Sequence, residues 1–193
     1  PRIGEPDISP DGKLVAFTVS RPDLEKNKSS SSLYVVPASG GEPRQLTRAS
    51  EKVSSPRFSP DGKRIAFVST RSSGTQAFVI DVDGGEALKV TDLSSDVNDV
   101  FWAADGKHLL LTSDVDPACN GDDKCNEKKE KEAKDRPHIT DRLLFRHWNE
   151  WRERKRSHLL RVPATGGAVV DLTPGDRDVP PFDRGSAEDF GVS

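Results

Sequence analysis

Apolar and polar residues alternate in short runs along this chain, and the runs recur. In Arg64-Ile65-Ala66-Phe67-Val68-Ser69, Ile65 and Phe67 share one face of an extended strand and Arg64 takes the other. The run follows Ser59-Pro60-Asp61-Gly62, a tetrapeptide that predicts a tight turn. Pro60 fixes φ at about −65° for the first corner, Asp61 bonds its own backbone, and Gly62 accepts the positive φ that ends the turn. The same phrase stands at Ser9-Pro10-Asp11-Gly12, before Leu14-Val15-Ala16-Phe17. A worn copy stands at Ala103-Ala104-Asp105-Gly106, before His108-Leu109-Leu110-Leu111. By the same alternation Val15, Phe17, Leu109 and Leu111 are core positions, with Leu14 and His108 opposite.

Each copy has a second half. The β-rich runs Leu33-Tyr34-Val35-Val36, Ala77-Phe78-Val79-Ile80 and Leu159-Leu160-Arg161-Val162 are each followed by a glycine pair: Gly40-Gly41, Gly84-Gly85 and Gly166-Gly167. That is hairpin chemistry. A short last strand closes each unit, at Gln45-Leu46-Thr47, Lys89-Val90-Thr91 and Asp171-Leu172-Thr173. Four strands in about 45 residues make a blade of a β-propeller. The expected fold is therefore all-β, a β-propeller fragment of about three four-stranded blades plus the start of a fourth. Blade 1 spans about 3–47, blade 2 about 53–91, and blade 3 about 97–173 with an insertion at 113–157. Blade 4 starts at about 188–193, where Phe190-Gly191-Val192-Ser193 repeats the approach to a turn. Arg21 to Ser32 reads as a long, mobile surface loop.

A propeller closes with about 4–8 blades, so the sequence reads as a piece of a longer polypeptide or of a nicked protein whose remainder stays bound. The chain opens at Pro1 in mid-phrase and contains no Met, which predicts an upstream segment that has been removed. Its net charge of −3 argues against a nucleic-acid surface. No apolar run of about 18 residues is present to span a membrane.

The insertion carries the most specific chemistry. Its cysteines, Cys119 and Cys125, are the only two in the chain and flank the turn-forming Asn120-Gly121-Asp122-Asp123. A small disulfide loop is the natural reading, with an oxidising compartment as its corollary; two free thiols are the alternative. A zinc site would need two further soft ligands close by, and the next histidine downstream is His138. The charge run Glu127 to Arg136 predicts a solvated loop or an exposed helix with mixed-sign pairs. Next comes Leu143-Leu144-Phe145-Arg146-His147-Trp148-Asn149-Glu150-Trp151. If extended, Leu143, Phe145 and His147 share a face; if helical, Leu144, Trp148 and Trp151 form a stripe. Periodicity does not separate the two.

These phrases resemble two groups, the TolB-like periplasmic propellers and the N-terminal propellers of prolyl oligopeptidase family serine peptidases. The opening, Gly4 to Ser20, looks like the first blade of the latter. The stretch from Asp141 to Pro163 is similar to the dipeptidyl-peptidase V and acylaminoacyl-peptidase branch, in which Arg-His-Trp precedes a carboxylate and an aromatic residue. Here Asn149 stands where that branch often has Asp, with Glu150 next to it.

The resemblance implies the substrate-gating propeller of a secreted or periplasmic serine exopeptidase acting on short peptides. Its implied partners are the rest of the propeller and an α/β-hydrolase domain carrying the triad. The sequence holds no G-x-S-x-G elbow, phosphate-binding glycine loop or H-E-x-x-H, so no catalytic, metal or cofactor residue is expected within it. An exopeptidase must grip a free ammonium. Glu150 and Asn149 are the candidate acceptors, Trp148 and Trp151 the aromatic walls, and Arg146 an orienting cation. The competing expectations are a structural tryptophan cluster on the blade core and, for the whole chain, a TolB-like non-enzymatic interaction module.

Overall fold

The computed structural model describes residues 1–48, 52–133, 146–147, 150–151 and 154–179. Blade 1 holds β1 (Arg2–Ile8), β2 (Leu14–Asp23), β3 (Lys28–Pro37) and β4 (Arg44–Gln45). Blade 2 holds β5 (Val53–Phe58), β6 (Arg64–Ser72), β7 (Gly74–Asp81) and β8 (Leu88–Lys89). Blade 3 begins with β9 (Val97–Trp102) and β10 (His108–Val115). Its insertion holds α1 (Asp123–Ala133) and the two-stranded β11 (Arg146–His147) and β12 (Glu150–Trp151). The blade then resumes with β13 (Arg156–Pro163) and β14 (Val170–Asp171). Each blade is a four-stranded antiparallel meander, and in the third the chain leaves for the insertion between its second and third strands.

The turns follow the sequence closely. Gly12, Gly62 and Gly106 have φ of 72°, 69° and 62°, and their N–H groups bond the carbonyls of Ser9, Ser59 and Ala103. In the first two copies the serine hydroxyl donates to the aspartate (2.7 and 2.5 Å) and accepts the N–H of Leu14 or Arg64 (2.9 and 3.0 Å). The third copy has Ala103 in place of serine. There Asp105 Oδ1 accepts the N–H of His108 directly (3.1 Å), and its other oxygen meets His108 Nδ1 at 2.6 Å. The last strands begin one residue earlier than expected. Thr47, Thr91 and Thr173 serve instead as caps, each hydroxyl accepting a third-strand N–H, from Leu33, Ala77 and Leu159, at 2.9 Å.

Two apolar layers lie between the three sheets. Ala16, Leu33 and Val35 of blade 1 meet Phe58, Ile65 and Phe67 of blade 2. The other face of blade 2, with Ala66, Val68, Ala77 and Val79, meets Leu109, Leu111, Trp102 and Leu160 of blade 3. Ile65, Phe67, Leu109 and Leu111 are fully buried. Val15 is only half-buried, because its face of β2 turns away from blade 2. Polar links tie the first strands together: Glu5 accepts the N–H of Ser55 (3.0 Å) and Asp7 that of Phe58 (2.7 Å). Trp102 Nε1 donates to Arg57 O at 3.0 Å.

The 21–32 segment corrects the expectation of a mobile loop. The β2–β3 ladder runs through Arg21↔Ser30, Pro22↔Ser29 and Asp23↔Lys28. Backbone pairing needs no apolar side chain, and Asp23, which accepts the N–H of Lys26, closes the tip with Asn27 at φ 47°. Leu24 stands 89% exposed there. The expected start of blade 4 at 188–193 lies outside the described residues. The chain leaving blade 3 does repeat the exit from blade 2: Asp178 accepts the N–H of Ser157 (3.1 Å) as Asp96 accepts that of Thr75 (2.6 Å).

Candidate functional site

The insertion is built outward from β10. After Val115, Asp116 caps a single 3-10 turn, Pro117–Cys119, by accepting the N–H of Ala118 at 2.9 Å. Asn120 follows in the left-handed region, which reverses the chain. Cys119 and Cys125 are bonded, with Cα atoms 5.5 Å apart, so of the two thiol states left open the disulfide is the one formed. Asp122 caps α1 by accepting the N–H of Lys124 (3.0 Å).

Polar contacts seat this unit on the propeller. Asp123 accepts both the N–H (2.9 Å) and the hydroxyl (2.8 Å) of Ser94, in the connection from blade 2 to blade 3. Asn126 is buried and accepts the N–H of Asp116 at 2.9 Å. Lys129 pairs with Asp116 at 2.8 Å. A Cβ on Gly121 would come within 3.3 Å of Asp171 Cβ, so the disulfide loop lies directly against β14. The charge run is in part the exposed helix anticipated: Lys131 bonds Glu127 one turn away and holds its carboxyl below the usual range. None of the seating contacts was read from the sequence.

Beyond α1 the Arg-His-Trp segment is extended rather than helical where it is described. Arg146 pairs with Trp151 and His147 with Glu150 across β11 and β12, so positions 148–149 join the two strands. The backbone thereby brings three of the five candidate residues, Arg146 on one strand and Glu150 and Trp151 on the other, onto facing strands of one small hairpin. Trp148 and Asn149 lie outside the described residues.

At the base of the insertion His158 is 1% exposed. Its Nδ1 meets Asp171 Oδ2 at 2.7 Å and its Nε2 meets Gly175 O at 2.9 Å. Gln76 holds the same place in blade 2, donating from Nε2 to Leu93 O at 2.9 Å. This histidine thus fastens the outgoing chain to the blade. Among the described residues no cluster of three or more His, Cys, Asp or Glu could hold a metal ion, and no helix is long and apolar enough to cross a membrane.

Comparison with known proteins gives the site its context. The TolB β-propeller domain family matches residues 2–131. Dipeptidyl-peptidase 5 of Porphyromonas gingivalis is 34% identical over an alignment covering 100% of this chain and 28% of that protein. The chain thus spans about a quarter of the length of this curated relative. Among solved structures, acylaminoacyl peptidase of Pyrococcus horikoshii matches with a TM-score of 0.64 at 21% identity, over 87% of this chain and 24% of that one. A TolB from Agrobacterium tumefaciens matches at 0.58 and 20% identity, over 86% and 47%. These two likenesses concern the fold alone.

Proposed function

This chain belongs to the TolB β-propeller domain family, and from that premise we propose that it forms the substrate-gating propeller portion of a serine exopeptidase of the dipeptidyl- or acylaminoacyl-peptidase type. The observation that carries the reading is the extent of its likeness to dipeptidyl-peptidase 5. It runs the whole length of the chain, insertion included, where a generic propeller would share only the blades. The triad sits in an α/β-hydrolase domain outside this sequence, and further blades cover the exposed Ile3 and Ile8 on the outer face of blade 1. The Cys119–Cys125 bond supports a secreted or periplasmic location, because disulfides persist in oxidising compartments.

In this reading Trp148 and Asn149, between β11 and β12 in the chain, act together with Arg146 and Glu150. Glu150 and Asn149 accept the ammonium of a short peptide, Trp148 shields that pair from water, and Arg146 orients the carboxylate. The test uses the full-length protein, first with a fluorophosphonate that labels activated serines. Labelling is expected; its absence would favour the second reading, a TolB-like non-enzymatic interaction module. Glu150→Gln and Trp148→Ala are then compared on free and N-blocked dipeptide substrates. A lost charge-assisted contact raises KM for the free amine alone, by the equivalent of roughly 1.5–3 kcal/mol. Equal losses on both substrates would make the cluster structural.

A further inference from the structure

An asparagine or aspartate stands directly before a glycine at Asp11-Gly12, Asp61-Gly62, Asp83-Gly84, Asp105-Gly106 and Asn120-Gly121. In such a pair the glycine nitrogen can attack the side-chain carbonyl carbon before it and close a succinimide ring, because no side chain on the glycine shields that nitrogen. At the aspartates the fold opposes this. The N–H groups of Gly12, Gly62, Gly84 and Gly106 donate to the carbonyls of Ser9, Ser59, Asp81 and Ala103 at 2.8, 2.8, 2.9 and 3.0 Å. Asp11, Asp61 and Asp105 are themselves held, by Ser9, Ser59 and His108 and by the N–H groups of Lys13, Lys63 and Lys107. A carboxylate is also a poorer electrophile than an amide.

Asn120-Gly121 differs on each count. Asn120 is exposed, with φ 49° and ψ 41°, between the 3-10 turn and α1. Its own N–H donates to Pro117 O at 3.2 Å. Its side-chain amide, its carbonyl and the N–H of Gly121 have no hydrogen-bond partner among the described residues. The 120–121 peptide can therefore turn about ψ of Asn120 without breaking a bond of its own, and that rotation brings the glycine nitrogen onto Cγ. The other asparagines lack the glycine: Asn27, Asn98, Asn126 and Asn149 precede Lys28, Asp99, Glu127 and Glu150. Asn126 is also buried and bonded to the N–H of Asp116.

We propose that Asn120 is a self-modifying residue: it deamidates through a succinimide, and its conversion to isoaspartate loosens the insertion from the blade. The Gly121 nitrogen bonds to Cγ of Asn120, the Cγ–Nδ2 bond breaks, and ammonia leaves with the hydrogen that the glycine nitrogen gives up. Water then opens the ring. Addition at Cγ gives aspartate; addition at the main-chain carbonyl gives isoaspartate, whose chain runs on through Cβ and Cγ. No oxidant or further reactant takes part. The loop has little room for the product. Cys119 and Cys125 hold its ends with Cα atoms 5.5 Å apart, and Gly121 lies so close to β14 that a Cβ on it would come within 3.3 Å of Asp171 Cβ. Isoaspartate adds a main-chain carbon and a carboxylate there, beside Asp122, Asp123 and Asp171, and strains the seat of Asp123 on Ser94. The assignment does not rest on the peptidase reading.

The test is timed peptide mapping, by mass spectrometry, of the folded full-length protein kept in mildly alkaline buffer made with heavy-oxygen water. Each conversion at Asn120 should take up heavy oxygen, and a protein isoaspartate methyltransferase should label the product. Conversion is expected at least about tenfold faster than at Asn27, also exposed but followed by lysine, which is a barrier lower by about 1.4 kcal/mol. The Asp-Gly pairs should isomerise only after denaturation. Asn120→Gln, which would need a larger ring, should remove the labelling at this position. Aged parent protein should then be cleaved within the insertion faster than fresh protein by a protease that cuts after lysine, and aged Asn120→Gln no faster than fresh. The proposal is overturned if Asn120 stays intact in the folded protein while the denatured chain converts, if Asn27 keeps pace with it, or if aged and fresh parent are cleaved alike.

Discussion

In blade 2, Phe67 stacks on Phe78 across the strand pair with ring centroids 5.8 Å apart and planes at 20°; in blade 1, Phe17 stacks on Tyr34 with the same separation and angle. The repeat thus reproduces a local contact faithfully. It does not reproduce the surroundings. Phe67 is sealed against Leu33 and Val35 of the preceding blade, whereas Phe17 shares its face with the half-buried Val15 and the exposed Ile8. Phe58, in blade 2 at the place of Ile8, is buried. A blade motif therefore fixes what a strand pair does, and the neighbouring blade decides what it is worth.

The largest effect should come from emptying the sealed member of that pair. Phe67→Ala in the full-length protein should cost roughly 3–5 kcal/mol, read from denaturant unfolding, because the site is closed on both sides and cannot collapse. Phe17→Ala sharpens the comparison. If a further blade covers that face, as the proposed function requires, its cost should match that of Phe67→Ala. A clearly smaller loss would mean that the face is open to solvent in the whole protein.

A second pair of matched positions differs in chemistry rather than cover. Gln76 and His158 both fasten the chain leaving their blade, through Leu93 O and Gly175 O at 2.9 Å. A carbonyl only accepts, so Nε2 of His158 carries the hydrogen. His158→Gln can reproduce that bond, as blade 2 already does. His158→Leu leaves Asp171 Oδ2 and the Gly175 carbonyl unpaired and should cost about 1–3 kcal/mol more. Equal melting temperatures for the two variants would sink the equivalence.

The blades could be read from the sequence because their signals are local. Ser9-Pro10-Asp11-Gly12, the glycine pairs and the alternation of Ile65 and Phe67 each act within a few residues, and the structure bears them out. What escaped depends on residues distant in the chain. Glu5 and Asp7 bond the backbone of Ser55 and Phe58, and Asp123 bonds Ser94; no pattern along the sequence joins such partners. The 21–32 hairpin escaped for another reason. Its ladder is held by backbone bonds and a tip turn, so its side chains carry no apolar alternation. At the candidate site, the cysteine pair was legible as a turn-spanning doublet, while the choice between strand and helix was settled only by the pairing of Arg146–His147 with Glu150–Trp151.

The insertion and the blades also differ in what holds them. Cys119 and Cys125 close a short loop, which removes little entropy from the unfolded chain. Replacing both with serine should therefore lower the melting temperature of the full-length protein only slightly. Protease cleavage within the insertion should nevertheless quicken, because Gly121 and Asp123 rest on Asp171 and Ser94 through that loop. A large loss of global stability would mean that the insertion is part of the cooperative core.

The smallest effects lie in the turns, where one motif reaches the same result by two routes. The Asp11 and Asp105 carboxyls are each lowered to about 2, Asp11 chiefly by the hydroxyl of Ser9 and Asp105 chiefly by His108. A carboxyl depressed in the folded state stabilises it above the unfolded value, about 3.9, and that contribution fades as pH falls through the folded value. Both turns should therefore loosen only in strong acid, and both aspartates are too exposed for the change to weigh much on the whole fold. The routes separate by mutation. Ser9→Ala should raise the Asp11 carboxyl toward its ordinary value and leave Asp105 alone, and His108→Leu should do the reverse, each followed by carboxyl-carbon NMR of full-length protein labelled at aspartate. Should Ser9→Ala leave the Asp11 titration where it was, the backbone N–H of Lys13, which Asp11 also accepts at 3.1 Å, is the stronger hold. The serine would then matter only for receiving the N–H of Leu14, a task that Asp105 performs for itself at His108 in the third copy.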